Sequence, residues 1–281
     1  MKYVLLIVFM VTTVFANDDA YSSAKKAEKE KDYIQAEKFY RKACDAGDDK
    51  SCLGLVNLYF NGKGKQGNMV VAYKLSKMLC NKGNAEGCFF LGYMYSEGKG
   101  TNKNVELATK TLKQACELHE DKACYNLANR YLKEKKYTNA IEYYEKSLLL
   151  GNYSAGTVLS SIYFSGTGVA KNMDKAVKYS KDACEKGKLT TSCAFLGTYY
   201  IQTNNYKEGK KYSEKACKMK PDAGIKDSKK IVAEACANTG LIYAKGFGVE
   251  LSMYKARKYF RKACDMGLDT ACKYYNKTLQ Y

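Results

Sequence analysis

ACDAGDDKSC (43–52) sets Cys44 and Cys52 eight positions apart, and the same spacing returns in LCNKGNAEGC (79–88), ACELHEDKAC (115–124) and ACDMGLDTAC (263–272). Cys184/Cys193 and Cys217/Cys236 stretch the interval, while SLLLGNYSAG (147–156) keeps the neighbouring residues and drops both cysteines. A chain that returns so often to one local pattern is building one local structure repeatedly, which excludes most single-core folds.

The rest of the sequence falls into register with these pairs. With the second cysteine as position zero, a tyrosine follows at seven: Tyr59, Tyr95, Tyr131, Tyr163, Tyr200 and Tyr243. At four sits Val56, Gly92, Ala128, Ser160, Gly197 or Gly240. Positions four and seven share one helical face, and the mostly small residue lets a second helix approach closely. That second helix carries Ala36, Ala72, Ala108, Ala140, Ala176, Gly209 and Ala256 at one place. Seven residues later come Ala43, Leu79, Ala115, Ser147, Ala183, Ala216 and Ala263, directly before the next pair. Helix pairs recurring at this period bury their apolar faces only by stacking on one another.

Two kinds of turn join the paired helices. The longer repeats use Gly-x-Gly, at Gly62/Gly64, Gly98/Gly100, Gly166/Gly168 and Gly246/Gly248. Such a turn needs residues that accept positive φ, and its recurrence at one repeat position marks it as structural and not as a phosphate loop. The shorter repeats read KEKDY, KEKKY and QTNNY instead.

MKYVLLIVFMVTTVFA opens with Lys2, an apolar run and a small-x-small site at Val14-Phe15-Ala16. This is the layout of a secretory signal peptide over 1–16, too short to span a bilayer, and the remaining chain has no long apolar run. In an exported chain an even number of regularly spaced cysteines reads as a disulfide framework. Zinc is the weaker reading: there is no Cys-x2-Cys knuckle, and His119 is the only histidine. No metal and no cofactor is expected.

The net charge is +18, but only Arg41, Arg130, Arg257 and Arg261 supply guanidinium groups, and lysines are spread over every helix. Sequence-specific nucleic-acid binding is therefore not expected. A solvated lysine surface is the plain reading, and attraction to acidic glycans, anionic membranes or acidic proteins the sharper one.

Leu-Gly-x-x-Tyr, Gly-x-Gly and Lys-Ala-x-x-Tyr-x-x-Lys-Ala-Cys together resemble the Sel-one-like repeat (SLR), kin of the tetratricopeptide repeat (TPR). With Cys-x7-Cys and the leader, the chain resembles the secreted Helicobacter cysteine-rich proteins over about residues 20 to 275. The resemblance implies an all-α, right-handed α/α solenoid of about seven helix pairs, monomeric and without a membrane span. Its units are expected at about 17–48, 49–84, 85–120, 121–152, 153–188, 189–232 and 233–268, with a capping helix at 269–281. The first cysteine of each pair then lies in the last turn of one repeat, which Gly47, Gly83, Gly151, Gly187 or Gly267 ends as a C-cap. The second begins the next repeat, so a bridge staples the junction: Cys44–Cys52, Cys80–Cys88, Cys116–Cys124, Cys184–Cys193, Cys217–Cys236 and Cys264–Cys272. At the bare junction Leu148 and Gly156 should make an apolar contact instead. The loop from Cys217 to Cys236 holds an insertion with Pro221 that should lengthen the helix carrying Cys236.

In TPR-like stacks, positions one, five and eight after the zero point face a concave groove. Carried over, these are Leu53, Asn57 and Phe60; Phe89, Tyr93 and Ser96; Tyr125, Asn129 and Leu132; and Thr157, Ser161 and Phe164. Aromatic area interleaved with Asn suits an extended peptide, because an amide pairs with both backbone N–H and C=O. Asn57 and Asn129 are expected to be dispensable for the stack.

The family also carries a β-lactamase and penicillin-binding label. Ser-x-x-Lys occurs at Ser22–Lys25, Ser23–Lys26 and Ser252–Lys255, but Ser-Asp-Asn and Lys-Thr-Gly are absent. His119 reads as an exposed loop residue, and Glu117/Glu120 and Asp48/Asp49 as solvated carboxylates with nothing apolar to raise a pKa. The expectation is a secreted or periplasmic scaffold that binds proteins or peptides, including acidic host or cell-envelope molecules. A weak penicillin-recognising hydrolase and a binder of acidic glycans stand as alternatives.

Overall fold

The protein is described by a computed structural model that covers residues 20–63, 68–225 and 227–279. The expected leader and Gly64 lie outside them. Every regular element among the described residues is an α-helix: α1 (20–29), α2 (Tyr33–Asp45), α3 (Asp49–Phe60), α4 (Met69–Asn81), α5 (Ala85–Glu97), α6 (Val105–Glu117), α7 (Asp121–Lys133), α8 (Tyr137–Leu149), α9 (Tyr153–Ser165), α10 (Met173–Glu185), α11 (Thr190–Gln202), α12 (Tyr206–Lys218), α13 (Ser228–Lys245), α14 (Met253–Asp265) and α15 (Asp269–Thr278). Odd-numbered helices begin the repeats and even-numbered ones complete them, giving the all-α solenoid class. The helices gather into two compact bodies, Met1–Leu127 and Ala128–Tyr281. No helix among the described residues is long and apolar enough to cross a membrane.

Local chemistry sets the helix ends. Asp32, Asp48, Asn68, Asn84, Asn104, Asn172, Asn205 and Ser252 occupy N-caps whose side chains accept from the backbone N–H three residues on. Beyond the C-termini, Gly47, Gly83, Gly151 and Gly267 take the left-handed conformation. His119 does the same at φ 67, at the repeat position that Gly47, Gly83, Gly151 and Gly267 hold elsewhere. Gly187 departs from its expected C-cap role. The Cys184–Cys193 interval is one residue longer, and Lys188 takes the left-handed position (φ 53). Gly187 is small for another reason: a Cβ there would lie 2.3 Å from the Cβ of Tyr153.

The repeat register reappears as packing. The tyrosine at position seven lies against an aromatic of the second helix, as in Tyr131–Tyr143, Tyr163–Tyr179, Tyr200–Tyr212 and Tyr243–Tyr259 at 5.5–5.9 Å between ring centroids. The small residue at position four permits that approach: a Cβ on Gly240 would meet the Phe260 ring at 2.7 Å. In the first body the core gathers Tyr40, Leu55, Val56, Leu58, Tyr59, Leu79 and Met94. In the second, Leu196, Tyr212, Val232 and Phe260 anchor successive clusters.

The described residues hold six disulfides, Cys44–Cys52, Cys80–Cys88, Cys116–Cys124, Cys184–Cys193, Cys217–Cys236 and Cys264–Cys272, and no free cysteine. At the bare junction a Cβ on Gly156 would sit 3.4 Å from Leu148 Cδ1, so the leucine fills the place of the bridge. The insertion lengthens α13 to 18 residues against 13 in most helices, and the expected unit boundary at 232/233 falls inside it. Its loop also does something the spacing did not reveal. Asp222 accepts from the backbone N–H groups of Thr190 and Thr191 at 2.9 and 2.8 Å, capping α11 from a distant loop where the N-cap residue itself, Leu189, has no polar side chain.

Candidate peptide-binding face

The positions carried over from TPR stacks lie on one side of each first helix. Leu53, Asn57 and Phe60 of α3 are half-buried, as are Phe89, Tyr93 and Ser96 of α5, and Tyr125 of α7 shares that intermediate exposure. In the second body Asn129, Leu132 and Thr157 are half-buried, and Phe164 is 44% exposed.

Part of this face is already engaged. Phe60 meets Phe90 at 5.1 Å and Tyr93 at 5.0 Å, both edge-on, and Lys99 lies 5.3 Å from the centroids of Phe60 and Tyr93. Phe164 repeats the arrangement, with Phe195 edge-on at 5.3 Å and Lys171 over its ring at 5.2 Å. Lys99, Lys171 and Phe195 escaped the sequence reading because transferred groove positions name only residues one, five and eight. The aromatics thus link neighbouring first helices while keeping an exposed edge.

The two asparagines differ. Asn57 donates to Glu86 and to the carbonyl of Leu53, each at 3.3 Å, both long and partly exposed. Asn129 Oδ1 accepts from the Tyr144 hydroxyl at 2.5 Å, and Tyr144 is fully buried. Asn129 therefore serves its own helix pair, against the expectation that it is dispensable there. Asn129→Ala is expected to lower stability by about 1–2 kcal/mol, the usual range for a lost buried hydrogen bond, whereas Asn57→Ala leaves the urea midpoint nearly unchanged. Equal midpoints for the two variants would contradict this assignment.

A second recurring feature is a glutamate on a second helix that accepts from a tyrosine of the following first or second helix. Tyr59 donates to Glu37 at 2.8 Å, Tyr243 to Glu214 at 2.9 Å, and Tyr179 donates to Glu145. Burial first, and then the neighbouring carboxylate, push Tyr59 and Tyr259 up to about 12, and raise Tyr179 and Tyr212 as well. These hydroxyls stay neutral and act as donors.

Lysines crowd the cleft of about 550 Å³ lined by Lys207, Lys210, Lys211, Glu214, Lys215 and Lys218. Most already have partners. Lys210 covers the Tyr243 ring, Lys211 pairs with Glu208, and Lys215 donates to the carbonyl of Cys184. Within this cleft, lysines are thus joined to a ring, a carboxylate and a helix end.

Two of the Ser-x-x-Lys pairs have other roles in the structure. Ser252 Oγ accepts from the Lys255 backbone N–H, so this serine is a helix cap. Beside Ser22, burial draws the Lys25 pKa down but hydrogen bonds with Glu28 and Tyr40 outweigh it, and the net shift is upward, opposite to what a general base requires. Among the carboxylates, Glu120 departs from its expected solvated state. Burial raises its pKa, with Asp121 adding to the effect. Asp48 caps α3, and Asp49 pairs with Lys82 at 2.7 Å. No cluster of metal-ligating side chains occurs among the described residues.

The Sel1 repeat matches residues 27–48, 53–84, 85–119, 155–188 and 233–268. The chain belongs to the Sel1 repeat family. The tetratricopeptide repeat matches the two intervening stretches, 121–152 and 190–223, where the Gly-x-Gly turn is missing. The chain is similar to the Sel1 repeat protein from Oxalobacter formigenes (TM-score 0.65, 22% identity, covering 87% of this chain and 99% of that one). It is also similar to c5321, a protective antigen of uropathogenic Escherichia coli with an SLR fold (TM-score 0.58, 23% identity, 94% and 64% covered). At these identities the likeness is one of fold. Human cytochrome c oxidase assembly factor 7 is 34% identical over 113 residues, 37% of this chain and 46% of that protein, and the mouse protein is 35% identical over the same length. The chain spans less than half the length of these curated relatives.

Proposed function

We propose that the protein is an exported scaffold that binds proteins or peptides along the first-helix face of its repeats. The observation that carries this reading is the half-exposed row Leu53, Asn57, Phe60, Phe89 and Tyr93, where apolar edges, amide groups and a lysine adjoin on neighbouring helices. Aromatic edges give contact area at little conformational cost, and the amide of Asn57 can exchange its two long bonds for those of an extended backbone. Six bridges suit an oxidising compartment, which supports the leader reading and kinship with the secreted cysteine-rich proteins. The human relative is named an assembly factor, and a scaffold role agrees with that name.

Selection of a random displayed peptide library on the oxidised protein tests the reading. Ligands recovered from it should lose about tenfold or more in affinity on Tyr93→Ala and Phe89→Ala, as expected when an anchor contact is removed. Asn57→Ala should weaken them less, and the melting temperature of Asn57→Ala should stay near wild type. Ligands indifferent to all three substitutions would place recognition elsewhere.

A further inference from the structure

Two repeats show what occupies the space between successive first helices, and the last repeat leaves that space open. Phe60 and Phe164 both stand eight residues after position zero. Each packs edge-on against the aromatic at position two of the next first helix, Phe90 and Phe195 respectively, at 5.1 and 5.3 Å. In α13 the corresponding residue is Ala244, eight after Cys236, while the next first helix still supplies the position-two aromatic, Tyr274. The ring that would lie between them is missing, and an open cavity of about 390 Å³ takes its place.

The walls are those of an aromatic socket. Leu241, Leu251, Met253, Phe260 and Tyr274 line the cavity together with Ala244. Phe260 forms its floor at 1% exposure and stacks on Tyr274 at 5.3 Å. Leu251 and Tyr274 remain 59% and 45% exposed, leaving apolar surface uncovered beside a formed concavity. The charged residues of the lining are Lys245 and Lys277, and neither has an ion-pair partner among the described residues. In the two filled repeats a lysine lies over the inserted ring at 5.2–5.3 Å, so the socket also keeps a cation of the kind that accompanies the ring.

We propose that this socket receives an aromatic side chain presented by an acidic peptide segment of a partner protein. The ring takes the place held by Phe60 and Phe164 in the other repeats, and flanking carboxylates pair with Lys245 and Lys277. The assignment rests on the first-helix side of the repeats being the peptide-binding side, and it names the chemistry recognised in the last repeat.

The probe is an N-acetylated pentapeptide amide with one phenylalanine between two pairs of aspartates, followed by calorimetry and by the methyl resonance of Met253, which lines the cavity. The expected result is saturable binding that shifts the Met253 methyl. Replacing the phenylalanine by glycine, or the aspartates by lysines, should weaken binding at least about tenfold. Ala244→Phe, which fills the socket from the chain itself as Phe60 does, should abolish the shift while holding or raising the melting temperature. Wild-type protein that does not respond to the probe would overturn the proposal, as would Ala244→Phe protein that binds it unchanged. If library peptides bind in a Tyr93-dependent way while this probe does not bind, the socket assignment fails alone. If the probe binds and no Tyr93-dependent ligand exists, the socket stands and the wider face does not.

Discussion

Reduction of the six disulfides is expected to unfold most of the protein at physiological temperature. Closing a loop of eight residues lowers the chain entropy of the unfolded state by the equivalent of roughly 2.5 kcal/mol, and the 19-residue separation of Cys217 and Cys236 by roughly 3. Six such contributions rival the whole stability of an ordinary domain, about 5–15 kcal/mol. The repeat architecture sharpens the effect, because each helix pair depends on its neighbours and a loosened junction exposes two faces at once. Reduced and alkylated protein should therefore lose most of its helical circular dichroism under conditions where the oxidised protein is fully folded. Removing single pairs as Cys→Ala doubles should cost about 2–3 kcal/mol each. The Leu148–Gly156 junction indicates that one staple can be absent when a leucine fills the gap. Alkylated protein melting within a few degrees of the oxidised form would mean that helix packing alone holds the stack.

The period, the helix pairing and the packing role of the position-seven tyrosines were legible because they recur, and a feature written several times at one offset separates itself from chance. What stayed hidden was whatever happens once. Asn129 looks like Asn57 in register, yet only Asn129 accepts from a buried tyrosine hydroxyl, because Tyr144 on the paired helix has no counterpart beneath Asn57. Gly187 looks like the other capping glycines, but one added residue before Cys193 passes the left-handed position to Lys188. Asp222 caps α11 across 31 to 32 residues of chain, a distance over which no local motif operates. The socket beside Ala244 is harder still to read, since an alanine on a helix signals nothing until Phe60 and Phe164 show which side chain is missing there.

The glycines of the Gly-x-Gly turns carry the other large expected effect, and the two members of a pair should not behave alike. The first, Gly98 or Gly166, ends a helix in the left-handed conformation, and a Cβ on Gly98 would find its nearest neighbour at 3.3 Å. Alanine there meets mainly the backbone penalty, about 1–2 kcal/mol. The second member has the same positive φ and also touches the preceding repeat. A Cβ on Gly100 would lie 2.0 Å from the carbonyl oxygen of Met69 at the start of α4, and one on Gly168 would lie 1.9 Å from the Tyr137 ring at the start of α8. No rotamer relieves a clash made by Cβ itself, so the turn must lift off the helix beneath it and give up that contact. Gly100→Ala and Gly168→Ala are therefore expected to cost about 3 kcal/mol or more, adding displaced packing to the backbone penalty. Gly47→Ala, left-handed but with nothing within 4 Å of its Cβ, isolates the backbone part and should cost about 1 kcal/mol. Urea midpoints for Gly47→Ala, Gly98→Ala, Gly100→Ala and Gly168→Ala give the comparison directly. If all four fall together, the second glycine is only a turn residue, and the docking of each turn onto the repeat before it contributes nothing to the stack.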